Sequence, residues 1–105
     1  MTETRSIFLT FPDEDTAMAI ARTLVEERLV ACVNVLPRGT SVYRWQEKVV
    51  SEQEIVAFAK TTADKVAALS ARVAALHPYD VPCVVALVID AGSAEYLAWV
   101  AAETR

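Results

Sequence analysis

An α+β domain is the fold class this sequence predicts, and three observations predict it. Four stretches of strand length carry β-branched and aromatic residues. Two intervening or following stretches switch to helical spacing, and a further helical stretch closes the chain. Read in order, the signals run β-α-β-β-α-β plus a C-terminal helix. At 105 residues the chain is expected to be a single domain spanning residues 1–105.

The first strand is Arg5 to Phe11, apolar with aromatic and β-branched residues, and Pro12 ends it. Asp13 is placed to cap a helix, with Glu14 and Asp15 in the first turn where the helix dipole is positive. Ala17, Ile20, Ala21, Leu24 and Val25 then recur on one helical face, and the helix is expected to end near Arg28.

The second strand is Ala31 to Leu36, broken by Pro37-Arg38-Gly39 and resumed at Thr40 to Trp45. Gln46-Glu47-Lys48 is a short turn, and Val49 to Lys60 returns as the third strand. The two form one long hairpin with a kink in its outgoing arm. At about 3.3 Å per residue each arm reaches roughly 40 Å. A domain of this size has a radius of gyration near ~13 Å. The tip, with Tyr43 and Trp45, is therefore expected to project and to meet a partner chain.

Thr61-Thr62-Ala63-Asp64 fits a loose capping box before the second helix, whose stripe is Val66, Leu69, Val73 and Leu76. His77-Pro78 stops it. Pro82 to Ile89 is a nearly continuous apolar run, expected as a fourth strand buried on both faces. Gly92-Ser93 opens a last helix with Tyr96, Leu97, Trp99 and Val100. This β-α-β-β-α-β order is the ferredoxin-like pattern. Its sheet order is fourth-first-third-second, with helices on one face and the other face open.

Composition narrows the function. The formal net charge is −4, which lacks the basic footprint of a nucleic-acid binder. Two glycines, Gly39 and Gly92, cannot build a phosphate-cradling loop or a dinucleotide fingerprint. No apolar run reaches the ~18 residues of a membrane span. The polar start from Met1 to Ser6 has no signal-peptide core, and two scattered cysteines suit a reducing compartment, so a cytoplasmic protein is expected. Hydrophobic residues make up 54% of the chain, a surplus for so small a domain, and part of it is expected to face another subunit.

Six segments then become specific: Thr10-Phe11-Pro12-Asp13, Leu29-Val30-Ala31-Cys32-Val33-Asn34, Thr40-Ser41-Val42-Tyr43-Arg44-Trp45, Lys60-Thr61-Thr62, Leu76-His77-Pro78-Tyr79 and Tyr96-Leu97-Ala98-Trp99. In order and spacing, over nearly the whole chain, they resemble the CutA family of divalent-cation tolerance proteins. The resemblance implies a ferredoxin-like fold, a compact homotrimer similar in plan to the PII signalling proteins, and binding of copper or another divalent cation. It departs at Leu9 and Leu76, where some members carry Cys and His among their proposed copper ligands. It departs also at Cys83, at Val88 and at Glu47, where members often have Glu, Pro and Gly. If Glu47 needs a positive φ, strain of roughly 1 kcal/mol is expected there.

The candidate residues each carry two readings. His77 is a copper ligand that a threefold axis can triple, or a helix-end residue packed on Pro78 and Tyr79. Tyr79, Asp80, Cys83 and Cys32 are further ligand candidates. Cys32 is otherwise an ordinary buried side chain. Three strand spacings of about 4.8 Å separate the two cysteines, too far for a bond within the chain. Pairing of the second strand with the fourth strand of another copy would bring them together.

Asn34 lines a pocket or satisfies backbone at the kink. Tyr43, Arg44 and Trp45 are a stacking platform or an interface. Lys60 binds an anion or pairs with a carboxylate. Glu52-Gln53-Glu54 is a weak cation site or a solvated strand edge. A single histidine and no paired carboxylates at catalytic spacing argue against an enzyme. The alternative to a cation-linked homotrimer is a metal-free sensor of small molecules or a scaffold for an unknown protein partner.

Overall fold

The computed structural model describes residues 3–105; Met1 and Thr2, and with them part of the polar start, lie outside the described residues. The elements are β1 (Thr4–Phe11), α1 (Glu14–Glu26), β2 (Cys32–Val35), β3 (Gly39–Trp45), β4 (Lys48–Thr62), α2 (Val66–Leu76), β5 (Val84–Val88) and α3 (Ala94–Glu103). A 3₁₀ turn at Ala63–Lys65 leads into α2. The ladder runs β2-β4-β1-β5, all antiparallel, with β3 continuing along β4 beyond β2. This is the ferredoxin-like order expected from the sequence.

The core lies between the sheet and helices α1 and α2. Ile7, Leu9 and Phe11 of β1 pair with Ala59, Ala57 and Ile55 of β4, so all six point to one face. Against them pack Ala17, Ile20 and Leu24 of α1 and Leu69 and Val73 of α2. The alternate residues form the second face, where the rings of Phe8 and Phe58 meet edge to face at 5.5 Å. That face is not left wholly open. α3 covers one end of it, where Tyr96 meets Cys32 and Thr104 meets Thr62.

Helix α1 starts as expected, with the Asp13 side chain accepting from the Thr16 N–H at 2.7 Å. It ends in a reciprocal pair of hydrogen bonds, Leu29 N to Leu24 O and Arg28 N to Val25 O. Arg28 makes that turn with φ 59°, in the left-handed region glycine usually fills. The β3–β4 hairpin turns through Gln46 and Glu47 at φ 50° and 67°, so the strain expected at Glu47 extends to its neighbour.

The capping box expected before α2 does not form. Thr61 and Thr62 belong to β4 and are buried; Thr61 donates to the Leu29 carbonyl at 2.7 Å and Thr62 faces Thr104. Their hydroxyls are therefore spent on tying the sheet to the loops around it. Also different is the fourth strand, β5. It is an edge strand, not one buried on both faces, with Val85, Leu87 and Val88 45%, 47% and 70% exposed. A continuous apolar run looks the same whether the chain or a neighbouring molecule covers it.

The doubled hairpin gives the molecule its shape. The principal extents are 44 × 25 × 24 Å, and the radius of gyration is 14.2 Å. The β3–β4 tip projects as expected, leaving Val42, Trp45 and Val49 exposed.

Candidate functional site

A cavity of about 400 Å³ opens where the base of the projecting hairpin meets the turn between α2 and β5. Strand alternation decides what faces it. Glu54 lies opposite Gly39, Glu52 opposite Ser41, and Tyr43 opposite Val50, so Glu52, Glu54, Tyr43 and Trp45 share one side of the ribbon. Arg44 falls on the other side and does not line the cavity. Tyr79, Asp80 and Cys83 of the turn close it from below.

His77 fixes that turn. Its backbone leaves the helix in an extended conformation, φ −80° and ψ 140°. The Thr10 carbonyl, 2.8 Å from Nε2, can only accept; the Tyr79 N–H, 3.1 Å from Nδ1, can only donate. The neutral tautomer with hydrogen on Nε2 therefore follows from the partners. The ring is buried, stacked on Phe11 at 5.3 Å and leaning on Tyr79 at 4.6 Å. Both nitrogens are engaged within the chain, and a metal would have to displace one of these bonds.

Tyr79 in turn donates its hydroxyl to Glu54 Oε2 at 3.0 Å. Glu54 is buried, so the solvated strand edge expected from Glu52-Gln53-Glu54 is only partly found: the first two are exposed and the third is not. Burial, and then the carboxylate of Glu54, push the Tyr79 hydroxyl well above its ordinary range. Tyr43 is also raised, by desolvation first and then by Glu52. The Cys83 thiol is pushed up by burial and by Glu54. All three groups therefore hold their protons at neutral pH.

The other candidates lie apart from this cavity. Cys32 sits at the far end of β2, with Sγ 3.3 Å from the Tyr96 hydroxyl, which this contact and then burial push up to about 12. Both cysteines are free thiols, on strands or turns at opposite edges of the sheet. Asn34 is exposed and accepts from Lys60 Nζ at 3.2 Å; the backbone partner expected at the kink is not what satisfies it. Lys60 thus finds an amide oxygen where an anion or carboxylate was expected.

Sequence reasoning passed over Thr10 and gave Glu54 too little weight. The spacing of Glu52 and Glu54 by two was the available signal, since it puts both on one face with Tyr43 and Trp45. Among the described residues, no group of three or more His, Cys, Asp or Glu converges as a metal ion would require. No helix among them is long and apolar enough to cross a membrane.

Comparison with known proteins adds a family. The family pattern described as CutA1 divalent ion tolerance protein matches residues 6–103. A divalent-cation tolerance protein CutA from Thermus thermophilus is 51% identical over 98 residues, covering 93% of this chain and 95% of that protein. A solved divalent cation tolerance protein from Thermus thermophilus superposes with a TM-score of 0.95 at 49% identity, covering 97% of this chain and 99% of the other. The periplasmic divalent cation tolerance protein CutA of Archaeoglobus fulgidus gives 0.94 at 32% identity, covering 97% and 99%.

Proposed function

The chain belongs to the CutA1 divalent ion tolerance family, and from that premise we propose that it serves divalent-cation tolerance as a cytoplasmic homotrimer, not as an enzyme. In this reading it binds copper or another divalent cation with donors drawn from more than one copy. Neither nucleic acid nor membrane is a partner.

The observation that carries the assembly is the bare edge of β5. Leu87 is 47% exposed and Val88 70%, on a strand, Val84–Val88, with no charge and no proline to protect its edge. The opposite edge is β2, so β2 of one copy can pair with β5 of the next. Such pairing covers the apolar run and closes a ring of chains.

The donors of one copy do not fit a complete metal site. His77 has both nitrogens engaged, Cys83 holds its proton, and no three donors converge among the described residues. A bound ion therefore draws on equivalent side chains from several copies, as a threefold axis provides.

Native mass spectrometry with a copper titration tests both parts. The expected result is a three-chain mass that takes up copper in multiples of three. A single-chain mass overturns the assembly. A three-chain mass without stoichiometric copper overturns the metal.

A further inference from the structure

We propose that Tyr96 and Trp99 of α3 form a clamp for a second copy of this chain, closing over Val85 and Leu87 of the β5 that adds to β2. The proposal rests on the β2–β5 pairing put forward above. It goes further by adding a side-chain contact that backbone pairing does not require.

The register places the two halves of the contact. Cys32 of β2 lies opposite Lys60, Lys60 opposite Ser6, and Ser6 opposite Leu87. Asn34, Phe58, Phe8 and Val85 make the next row. Side chains in a row share a face, so Val85 and Leu87 lie on the face that carries α3. α3 reaches the opposite edge of that face. The Tyr96 hydroxyl is 3.3 Å from Cys32 Sγ, on a strand paired only with β4. The Trp99 ring lies 5.6 Å from that of Tyr96.

Both halves lack a cover within one chain. Tyr96 and Trp99 are 39% and 42% exposed, and Val85 and Leu87 nearly half exposed. Three strand spacings of about 4.8 Å separate β2 from β5, so a chain cannot cover one patch with the other. Unlike patches at opposite edges match only between copies, in a head-to-tail contact that repeats around a ring.

Direction and length agree with that match. Each strand of β2-β4-β1-β5 is antiparallel to the next, so β2 and β5 run in opposite directions and join antiparallel. β2 has four residues and β5 five. A sheet continued around an axis keeps like faces together, which brings Val85 and Leu87 of the next copy beneath the two rings. None of these four side chains is charged, so nothing polar is stranded by the contact. Aromatic rings are the side chains that most often anchor one chain to another.

The test uses the full chain with Trp45→Phe, which leaves Trp99 as the one tryptophan. Light scattering gives the mass, and acrylamide quenching gives the exposure of Trp99. A multi-chain mass is expected, with quenching several-fold weaker than in the same chain carrying Val88→Lys, the single-chain reference. In the unaltered background, Leu87→Ala and Trp99→Ala should each raise the dissociation constant of the assembly about tenfold, read by sedimentation. Together they should raise it by far less than the roughly hundredfold of independent sites. Circular dichroism confirms that the variants fold. A multi-chain mass with Trp99 quenched as freely as in Val88→Lys, or a hundredfold effect of the double variant, overturns the clamp and leaves the pairing standing. A single-chain mass of the unaltered chain, or an assembly that survives Val88→Lys, overturns the pairing and the clamp with it.

Discussion

His77 donates its Nε2–H to the carbonyl of Thr10 at 2.8 Å, across 67 positions of sequence. One imidazole thereby joins the end of α2 to the end of β1, and its other nitrogen receives the Tyr79 N–H. The cavity floor is tied to this residue through Tyr79, whose N–H bonds to His77 and whose hydroxyl donates to Glu54 at 3.0 Å.

Replacing His77 by Ala is therefore expected to lower stability by about 2–3 kcal/mol. The change strands the Thr10 carbonyl, frees the Tyr79 N–H and removes the stack on Phe11. Urea unfolding of metal-free protein measures it. A ligand-only role for His77 predicts no change under that condition.

All three tyrosines carry raised hydroxyls, each for its own reason. Tyr79 is desolvated and bonded to Glu54, Tyr43 is desolvated beside Glu52, and Tyr96 is bonded to Cys32 and shifted to about 12. Ultraviolet titration of the native protein should show little tyrosinate at pH 10, where the unfolded chain is half titrated. The sign for stability follows from proton counts. Between pH 10 and the folded values, the native state holds protons the unfolded state has lost, so stability falls as pH rises. Below pH 10 this contribution is fully present. Tyr79→Phe should flatten the alkaline limb of a Tm–pH curve, and an unchanged limb would count against the Tyr79–Glu54 bond.

Much of this architecture is legible in the chain. Asp13 announces α1, His77-Pro78 ends α2, and the two arms around Gln46-Glu47 declare a hairpin. The sheet order follows from the element order, because few topologies satisfy it. What was not legible depended on partners far away in sequence. Glu54 reads as a surface charge until Tyr79 is seen above it. Thr61 reads as a helix cap until Leu29 appears beside its hydroxyl. The run at Pro82–Ile89 reads as a buried strand because apolar composition records that a surface is covered, not which molecule covers it.

The hairpin turn offers a cleaner energetic test. A two-residue connection of this kind needs positive φ at both positions, which Asn-Gly adopts readily. Gln46 and Glu47 adopt it at φ 50° and 67°. Changing them together to Asn and Gly should raise stability by about 1 kcal/mol or more. Arg28→Gly at the end of α1 removes similar strain at φ 59°. Its gain should be smaller, because Arg28 also reaches Glu103 at 3.8 Å, an exposed pair worth about 0–1 kcal/mol. Thermal unfolding of the two variants ranks them, and a loss of stability in the hairpin variant would show that these side chains make contacts outweighing the strain.

The edge of β5 decides the assembly. Val84-Val85-Ala86-Leu87-Val88 has high strand propensity, no charge and no proline, and β1 pairs with only one of its two edges. A free edge of that composition invites association with any strand that fits. The proposed trimer directs that association to a single partner, β2 of another copy. Val88 is 70% exposed, so Val88→Lys leaves the core of its own chain untouched while placing a charge where the next copy would lie. Light scattering at micromolar concentration should then give the mass of one chain with native circular dichroism. Val25→Lys, on the exposed flank of α1, serves as the matched control and should keep the parent mass. Should both variants keep it, β5 is not the contact, and the apolar hairpin tip around Val42 and Val49 becomes the surface that joins the copies.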